Sequence, residues 1–255
     1  MNIQRHLDEL IAIIHDADKA IMEVYDTHSA VVEMKADNTP LTQADMSSHA
    51  ILSSGLDELF PDIPIISEEG DQEQNSRMVK DEMFWLVDPL DGTREFVARS
   101  GQFCVCVGLI VNGKPYFGIV SVPALGVIYY GGATMGSYKK VGDQPPEIIH
   151  VSDHHLGIVL GSRMDKGGPT YDYIADNFAY SEIQSFGSML KFTMIAEGLA
   201  DVYPCIQRPL HLWDVAAGHA IVDGAGGTVT RPDGSLIDYN NQTLMAGDFV
   251  VSSNS

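Results

Sequence analysis

The segment Trp85-Leu86-Val87-Asp88-Pro89-Leu90-Asp91-Gly92-Thr93-Arg94-Glu95-Phe96 constrains this chain more than any other stretch of it. The apolar run 84–87 reads as a buried strand, and a buried strand that ends abruptly in carboxylates must deliver them to the rim of a sheet. Asp88 and Asp91 arrive there three residues apart, Gly92 permits a tight turn, and Thr93 can open a helix. Two carboxylates so placed suit a hard cation such as Mg²⁺, which takes oxygen ligands. The free N–H groups of the following helix start favour an anion, so the turn has the makings of a phosphate site. The competing reading is that Asp91 and Thr93 merely cap a turn and a helix. The spacing is not the D-x-D-x-D-G of an EF-hand loop.

A second cluster repeats the arrangement: Ile65-Ile66-Ser67-Glu68-Glu69-Gly70 again runs an apolar strand into adjacent acids. Asp214, in Trp213-Asp214-Val215-Ala216-Ala217-Gly218, begins an Ala-rich helix, where a cap is the ordinary explanation. Asp45 lies near the start of an earlier helix, where an exposed acid is the ordinary one. Charge sharpens the question. Fifteen Lys+Arg against 35 Asp+Glu leave a net −20 over 255 residues. Such a surface lacks the basic footprint of a nucleic-acid-binding protein and is repelled by anionic lipid. An anionic substrate would need local cations or metal ions to overcome that field.

Apolar residues at Ile3, Leu7, Leu10, Ile11, Ile14, Ile21 and Tyr25 predict a helix over 1–26 rather than an export signal. A polar loop at 35–40 precedes a second helix, from near Thr42 to Phe60, ended by the prolines of 61–64. Residues 63–66 read as a strand and 103–111 as a longer one. Asn112-Gly113 is a hairpin turn, and 117–122, 126–131 and 137–141 continue an antiparallel meander. Pro145-Pro146 and 152–155 read as a linker, dividing an N-terminal half, 1–150, from a C-terminal half, 151–255. Beyond it, strands at 157–161, 182–184, 200–203 and 227–230 alternate with helices at 171–178, 188–197 and 214–222, the pattern of a layered α/β half. No apolar stretch approaches eighteen residues. Three cysteines, an odd and small number, suit a reducing cytosol. A cytoplasmic location follows as the expectation, with peripheral association at the inner membrane left open. The sequence fixes no oligomeric state.

The acidic clusters and the segments between them resemble the lithium-sensitive, magnesium-dependent phosphatase family that includes inositol monophosphatase, and within it the bacterial 3'(2'),5'-bisphosphate nucleotidases. The resemblance is carried by Lys35-Ala36-Asp37-Asn38-Thr39-Pro40-Leu41-Thr42, Ser67-Glu68-Glu69, the 85–96 segment, Phe186-Gly187-Ser188-Met189-Leu190-Lys191-Phe192, Ala196-Glu197-Gly198 and the Trp213 segment through His219, in family order. It implies an α+β fold, a layered αβαβα sandwich of the inositol monophosphatase / fructose-1,6-bisphosphatase type, with the active site between two halves. It also implies roles. Glu68, Asp88 and the Leu90 carbonyl would hold one Mg²⁺; Asp88, Asp91 and Asp214 would hold a second, with a third, weaker ion near Glu68. The Gly92 and Thr93 amides would bind the scissile phosphate, and the Thr93 hydroxyl, paired with Asp45, would orient or deprotonate the attacking water. Gly187, Ser188 and Lys191 would lie near the substrate, where nucleotidases bind the non-scissile phosphate. The implied reaction is removal of the 3'-phosphate of 3'-phosphoadenosine 5'-phosphate, a small phosphorylated metabolite.

Two departures bear on that substrate. The nucleotidases read Y-P-R where this chain has Tyr203-Pro204-Cys205, with Arg208 three residues on as the candidate replacement cation. Their S-R-S-H appears as Ser162-Arg163-Met164-Asp165, without the histidine. An inositol or other sugar phosphate is therefore the alternative substrate, and a non-catalytic, metal-dependent anion-binding protein the alternative of another class. Lys191 has a plainer reading too, as a solvated surface lysine. Electrostatics supports the metal scheme on its own. Clustered carboxylates repel one another, cation binding offsets that cost, and no Cys or His nucleophile is then required. None of the nine histidines has a zinc spacing. Cys104 and Cys106 share one face of their strand, as a buried pair would, and Cys205 has no assigned role.

Overall fold

The computed structural model describes residues 3–27, 32–34, 40–163 and 167–253. A 3-10 turn, Ile3–His6, leads into α1 (Leu7–Asp26), whose buried Leu10, Ile14, Ala17 and Ile21 recur at helical spacing. β1 (Val32–Met34) and β2 (Pro40–Thr42) pair antiparallel, and most of the loop expected at 35–40 lies outside the described residues. α2 (Gln43–Leu59) opens with a capping box: the Ala44 N–H donates to Thr42 Oγ1 at 3.1 Å, and the Thr42 N–H donates to Asp45 Oδ2 at 2.8 Å.

Then come β3 (Ile65–Ser67), α3 (Gln72–Met78), β4 (Met83–Asp91), α4 (Thr93–Val97), β5 (Cys104–Val111), β6 (Lys114–Val122), β7 (Val127–Gly132), β8 (Gly136–Val141) and β9 (Glu147–Ile149). β3 to β9 form a seven-stranded sheet in sequence order, parallel only between β3 and β4. The hairpin turn at Asn112-Gly113 joins β5 to β6, and the meander is as expected. Two elements differ from the sequence reading. α3 has no apolar periodicity to betray it and is set by Asp71, whose side chain accepts from the Gln74 N–H at 2.8 Å. Between Pro145-Pro146 and 152–155, the two pieces read as a linker, lies β9, which pairs with β8 and buries Ile149.

The second sheet is built from β10 (Ile158–Ser162), β11 (Glu182–Phe186), β12 (Val202–Cys205), β13 (Thr228–Thr230) and β14 (Phe249–Ser252), in the order β11-β10-β12-β14-β13. α5 (Pro169–Asn177), α6 (Leu190–Ala196) and α7 (Trp213–Gly224) connect its strands. β14 escapes sequence reading because its apolar run, Phe249-Val250-Val251, is short; it inserts antiparallel between β12 and β13 and makes this sheet mixed.

The layers follow from which faces are apolar. Alternate residues of β4 serve two cores. Trp85 and Val87 pack with α1 and α2, whereas Phe84 and Leu86 join Cys104 and Cys106 against α6 and α7. A strand buried on both faces needs a continuous apolar run, which is why 84–87 shows no alternation. On the far side of α6 and α7 lies the five-stranded sheet, and Ile174 of α5 covers its outer face with Val159 and Val202. The result is the αβαβα sandwich. α7 crosses β6 so closely that a Cβ on Gly118 would stand 2.2 Å from the Ala217 carbonyl oxygen. Among the described residues no helix is long and apolar enough to cross a membrane.

Two stability outcomes are expected. Gly118→Ala should lower Tm by roughly 3–10 °C through overpacking between two backbones, while Gly168→Ala, with no atom within 4 Å of the added carbon, should leave it nearly unchanged in the same melting experiment. The second concerns Asp18 on α1, which accepts a 2.5 Å hydrogen bond from Ser121 and whose other oxygen is buried without a partner. Burial pushes its carboxyl up to about 7 from an ordinary 3.8, against the weaker pull of Ser121. The folded state therefore prefers the protonated acid, and stability declines as pH rises from about 4 to about 7. Asp18→Asn should raise Tm at pH 8 by several degrees, an advantage that shrinks steadily toward pH 4.

Candidate active site

β3 and β4 run parallel with Ser67 opposite Val87, so the residues that follow lie side by side, and the Glu68 N–H donates to the Val87 carbonyl at 3.0 Å. That register brings Glu68 beside Asp88. Asp214 enters from the first turn of α7, and carboxylate oxygens of Glu68, Asp88 and Asp214 lie within 4.8 Å of one another. Asp91, past an irregularity in the β4–β5 ladder, faces the same cavity. Burial pushes the Asp88 carboxyl well above the usual carboxylate range, and the charges of Glu68, Asp91 and Asp214 push it the same way. Asp214 is likewise driven well up, by burial and then by Asp91 and Glu68. Asp91 is raised by burial but opposed by the Ser188 hydroxyl, the Lys191 charge and the Met189 N–H.

The turn after β4 is held from several sides. The Leu90 N–H donates to Asp88 Oδ1 at 3.0 Å, and Ser48 on α2 donates to the Pro89 carbonyl at 2.8 Å. Gly92 adopts φ 87° at the start of α4, where a Cβ would come within 3.2 Å of both the Gln102 carbonyl and Ser188. The Thr93 hydroxyl has two acceptors at 3.2 Å, Asp45 Oδ1 and the Leu90 carbonyl. Asp45 is not the exposed acid of the plain reading. It is 2% exposed, and its second oxygen accepts from both the Thr42 N–H and the Thr42 hydroxyl, the latter at 2.6 Å. One side chain caps α2 with one oxygen and meets Thr93 with the other.

Opposite stands the segment between β11 and α6. The Gly187 N–H donates to Gln102 Oε1 at 2.8 Å, and Ser188, at a strained φ of 57°, donates its hydroxyl to Asp91 Oδ2 at 2.5 Å. Lys191 is not a solvated surface lysine. It is 5% exposed, with its ammonium on the Ser188 carbonyl at 2.6 Å and the Phe186 carbonyl at 3.3 Å. Arg208, half-buried, lines the same cavity of about 590 Å³. Cys205 is buried and supplies no cation. Cys104 and Cys106 lie in the inter-sheet core opposite Asp91 and Asp88 in the ladder, and burial pushes the Cys104 thiol up to about 12. Ser162 reaches the cavity and Arg163 pairs with Glu95 at 3.4 Å, while Met164, Asp165 and Lys166 lie outside the described residues.

Sequence reasoning missed Ser48 and Gln102. Ser48 had a signal, being one helical turn from Asp45 and so on the same face; Gln102, in a loop, had none. The donors gathered at one end of the cavity are all oxygen, and the buried charges there repel. Both properties fit hard divalent cations.

The profile of the inositol monophosphatase family matches residues 3–255. A Shigella flexneri protein named 3'(2'),5'-bisphosphate nucleotidase CysQ is 39% identical over 248 residues, covering 96% of this chain and 99% of its own. The protein of that name from Escherichia coli (strain K12) matches with the same identity and coverage. Among solved structures, CysQ from Bacteroides thetaiotaomicron, a bacterial member of the inositol monophosphatase family, aligns with a TM-score of 0.84 at 32% identity over 99% of this chain and 98% of that one. An IMPase from Thermotoga maritima aligns at 0.79 and 26% identity, over 98% and 92%. With sequence and fold in agreement over nearly its whole length, this chain belongs to the inositol monophosphatase family of phosphatases.

Proposed function

We propose that this enzyme is a Mg²⁺-dependent 3'(2'),5'-bisphosphate nucleotidase that hydrolyses the 3'-phosphate of 3'-phosphoadenosine 5'-phosphate, giving AMP and phosphate. The observation that carries the phosphatase chemistry is the convergence of Glu68, Asp88 and Asp214 within 4.8 Å, on a cavity also lined by Thr93, whose hydroxyl meets Asp45 behind it. The nucleotide follows from the names of relatives 39% identical to this chain end to end.

Glu68, Asp88 and the Leu90 carbonyl would hold one Mg²⁺ and Asp88, Asp91 and Asp214 a second, with a third near Glu68. Bound there, divalent ions acidify water and offset charge on the phosphoryl oxygens. The chain's own residues do the rest. The Gly92 and Thr93 amides, free at the start of α4, donate to the scissile phosphate. Thr93 has one hydroxyl proton and lone pairs to spare. With that proton directed at Asp45 Oδ1, its oxygen accepts a hydrogen from the attacking water. The two hydrogen bonds from Thr42 to its other oxygen keep Asp45 ionised and hold Oδ1 toward Thr93, so that Asp45 acts as the acceptor that orients the Thr93 hydroxyl. Gly187, Ser188, Lys191 and Arg208 border the leaving-group side. Because Cys205 brings no cation, a sugar monophosphate is the second reading, and relative rates on 3'-phosphoadenosine 5'-phosphate and inositol 1-phosphate decide between them. Three free, buried thiols suit the reducing cytoplasm in which we place the enzyme.

Asp88→Asn or Asp214→Asn should abolish Mg²⁺-dependent phosphate release yet preserve or raise Tm in metal-free buffer, since each removes a ligand and a buried repulsion together. Phosphate release near wild type in both variants would sink the ligand assignment. Thr93→Ala and Asp45→Asn should each lower kcat by about 10²–10⁴-fold. The double variant should lose little more than the worse single one, because the two act as a unit. Multiplicative losses would contradict the pair.

A further inference from the structure

Three side chains on one face of α2 reach three different segments of the site. Asp45, Ser48 and His49 stand at i, i+3 and i+4 spacing, so they project together. Asp45 meets the Thr93 hydroxyl of α4, Ser48 donates to the Pro89 carbonyl near the end of β4, and His49 Nδ1 lies 2.9 Å from the Ser67 hydroxyl at the end of β3. The helix itself is firmly seated. Leu52 and Leu56 are buried in the core beneath it, and a Cβ on Gly55 would stand 2.8 Å from the Ile13 side chain of α1.

β3 is the element most in need of such support. It is three residues long, lies at the edge of its sheet and pairs only with β4. Ser67, its last residue, immediately precedes Glu68, and the peptide between them is held from both sides. The Ser67 carbonyl accepts from the Gly70 N–H at 3.0 Å and from Asn75 Nδ2 of α3 at 2.8 Å, while the Glu68 N–H is spent on the Val87 carbonyl. What remains to be fixed at this joint is the Ser67 side chain, and the His49 ring meets it. Burial pushes the His49 ring below its ordinary pKa, so it is neutral at pH 7 and forms a neutral hydrogen bond whichever atom donates. Ser53, one turn further along α2, comes within 3.4 Å of the same Nδ1, a longer contact than that of Ser67. Neither His49 nor Ser67 lines the cavity, so neither touches a substrate bound there.

We infer that His49 is a positioning residue for the divalent-ion site: through Ser67 it ties the end of β3 to α2 and so holds Glu68 beside Asp88. The inference rests on the reading of Glu68, Asp88 and Asp214 as ligands of Mg²⁺.

The test is a Mg²⁺ titration of the full chain without substrate, followed by Tm and by calorimetry, beside the Mg²⁺ dependence of phosphate release. His49→Leu keeps the bulk of the ring without its hydrogen bond. It should raise the Mg²⁺ concentration for half-saturation about 2–12-fold, the worth of one neutral hydrogen bond, and leave the KM for the phosphate ester unchanged. His49→Asn, whose amide reaches the place of Nδ1 and can donate or accept, should recover most of that loss. Ser67→Ala should match His49→Leu, and the double variant should lose little more than either alone. Should His49→Leu not fold, Ser67→Ala, which removes a single oxygen, carries that arm. Equal losses in His49→Leu and His49→Asn, or multiplicative losses in the double variant, would make the contact ordinary packing and overturn the inference. A wild-type Mg²⁺ requirement in both His49→Leu and Ser67→Ala would overturn it as well. A wild-type chain whose Tm and phosphate release both ignore Mg²⁺ would overturn the metal reading itself, and the inference with it.

Discussion

Carboxylates that face one another across a buried cavity repel, and here the fold gives them no escape. Asp88 is 1% exposed at the end of β4, with Glu68 on the neighbouring strand and Asp214 arriving from α7. Each is carried by an element whose position is fixed by apolar packing: β3 and β4 by the core beneath α1 and α2, α7 by its close crossing of β5 and β6. The hydrophobic layers hold together a charge arrangement that would fly apart on a loop. Burial and mutual repulsion both drive the Asp88 and Asp214 carboxyls upward, so protons or divalent ions must compensate them. A site that is unfavourable by itself is one whose metal binding is strongly driven.

The opposite wall shows how the two sheets are kept in register around that cluster. α6 begins two residues after Ser188 and ends at Glu197, whose carboxylate accepts from the Tyr129 hydroxyl on β7 and from Lys139 on β8, the latter at 2.5 Å. One end of α6 is thus fastened to the seven-stranded sheet while the other presents Ser188 and Lys191 to Asp91. Glu197 sits in the Ala196-Glu197-Gly198 segment, whose place in the fold is this clamp between layers. Nothing in the segment itself announces a partner some 60 residues earlier.

That contrast marks what a sequence reveals. The β4 turn was legible because the strand, both acids, the glycine and the threonine are contiguous, so composition and geometry coincide. Asp214 and Asp45 were legible only through resemblance, since a first-turn acid is an ordinary cap; Asp45 in fact caps α2 and meets Thr93 at once. The plainer alternative for Lys191, a surface lysine, could not be dismissed from sequence because its neighbours there do not show the carbonyls that receive it. β9 and β14 are short strands that exist because a neighbour offers an edge to pair with, β8 in one case and β12 in the other. Pairing supplied from outside an element leaves no periodicity within it.

A physical asymmetry also separates the two sides of the cavity. The clustered acids sit on strand ends and a helix start, where a small displacement would break the cluster. The other side of the cavity includes a strap, 206–211, that runs between β12 and α7 and is fastened to the loop at 245–248 by backbone hydrogen bonds and by Arg231. Gln207 in that strap takes φ 55°, a conformation sustained by its bond to Asp248 rather than by its own preference. The strap is itself tied to the acidic cluster, since the His211 N–H donates to Asp214 Oδ2 at 2.7 Å, so what can change without moving a carboxylate is a side chain further along it that lines the cavity, such as Arg208. The wall of the cavity beyond the carboxylates is thus built from side chains such as Arg208 that lie outside the acidic cluster and vary independently of it.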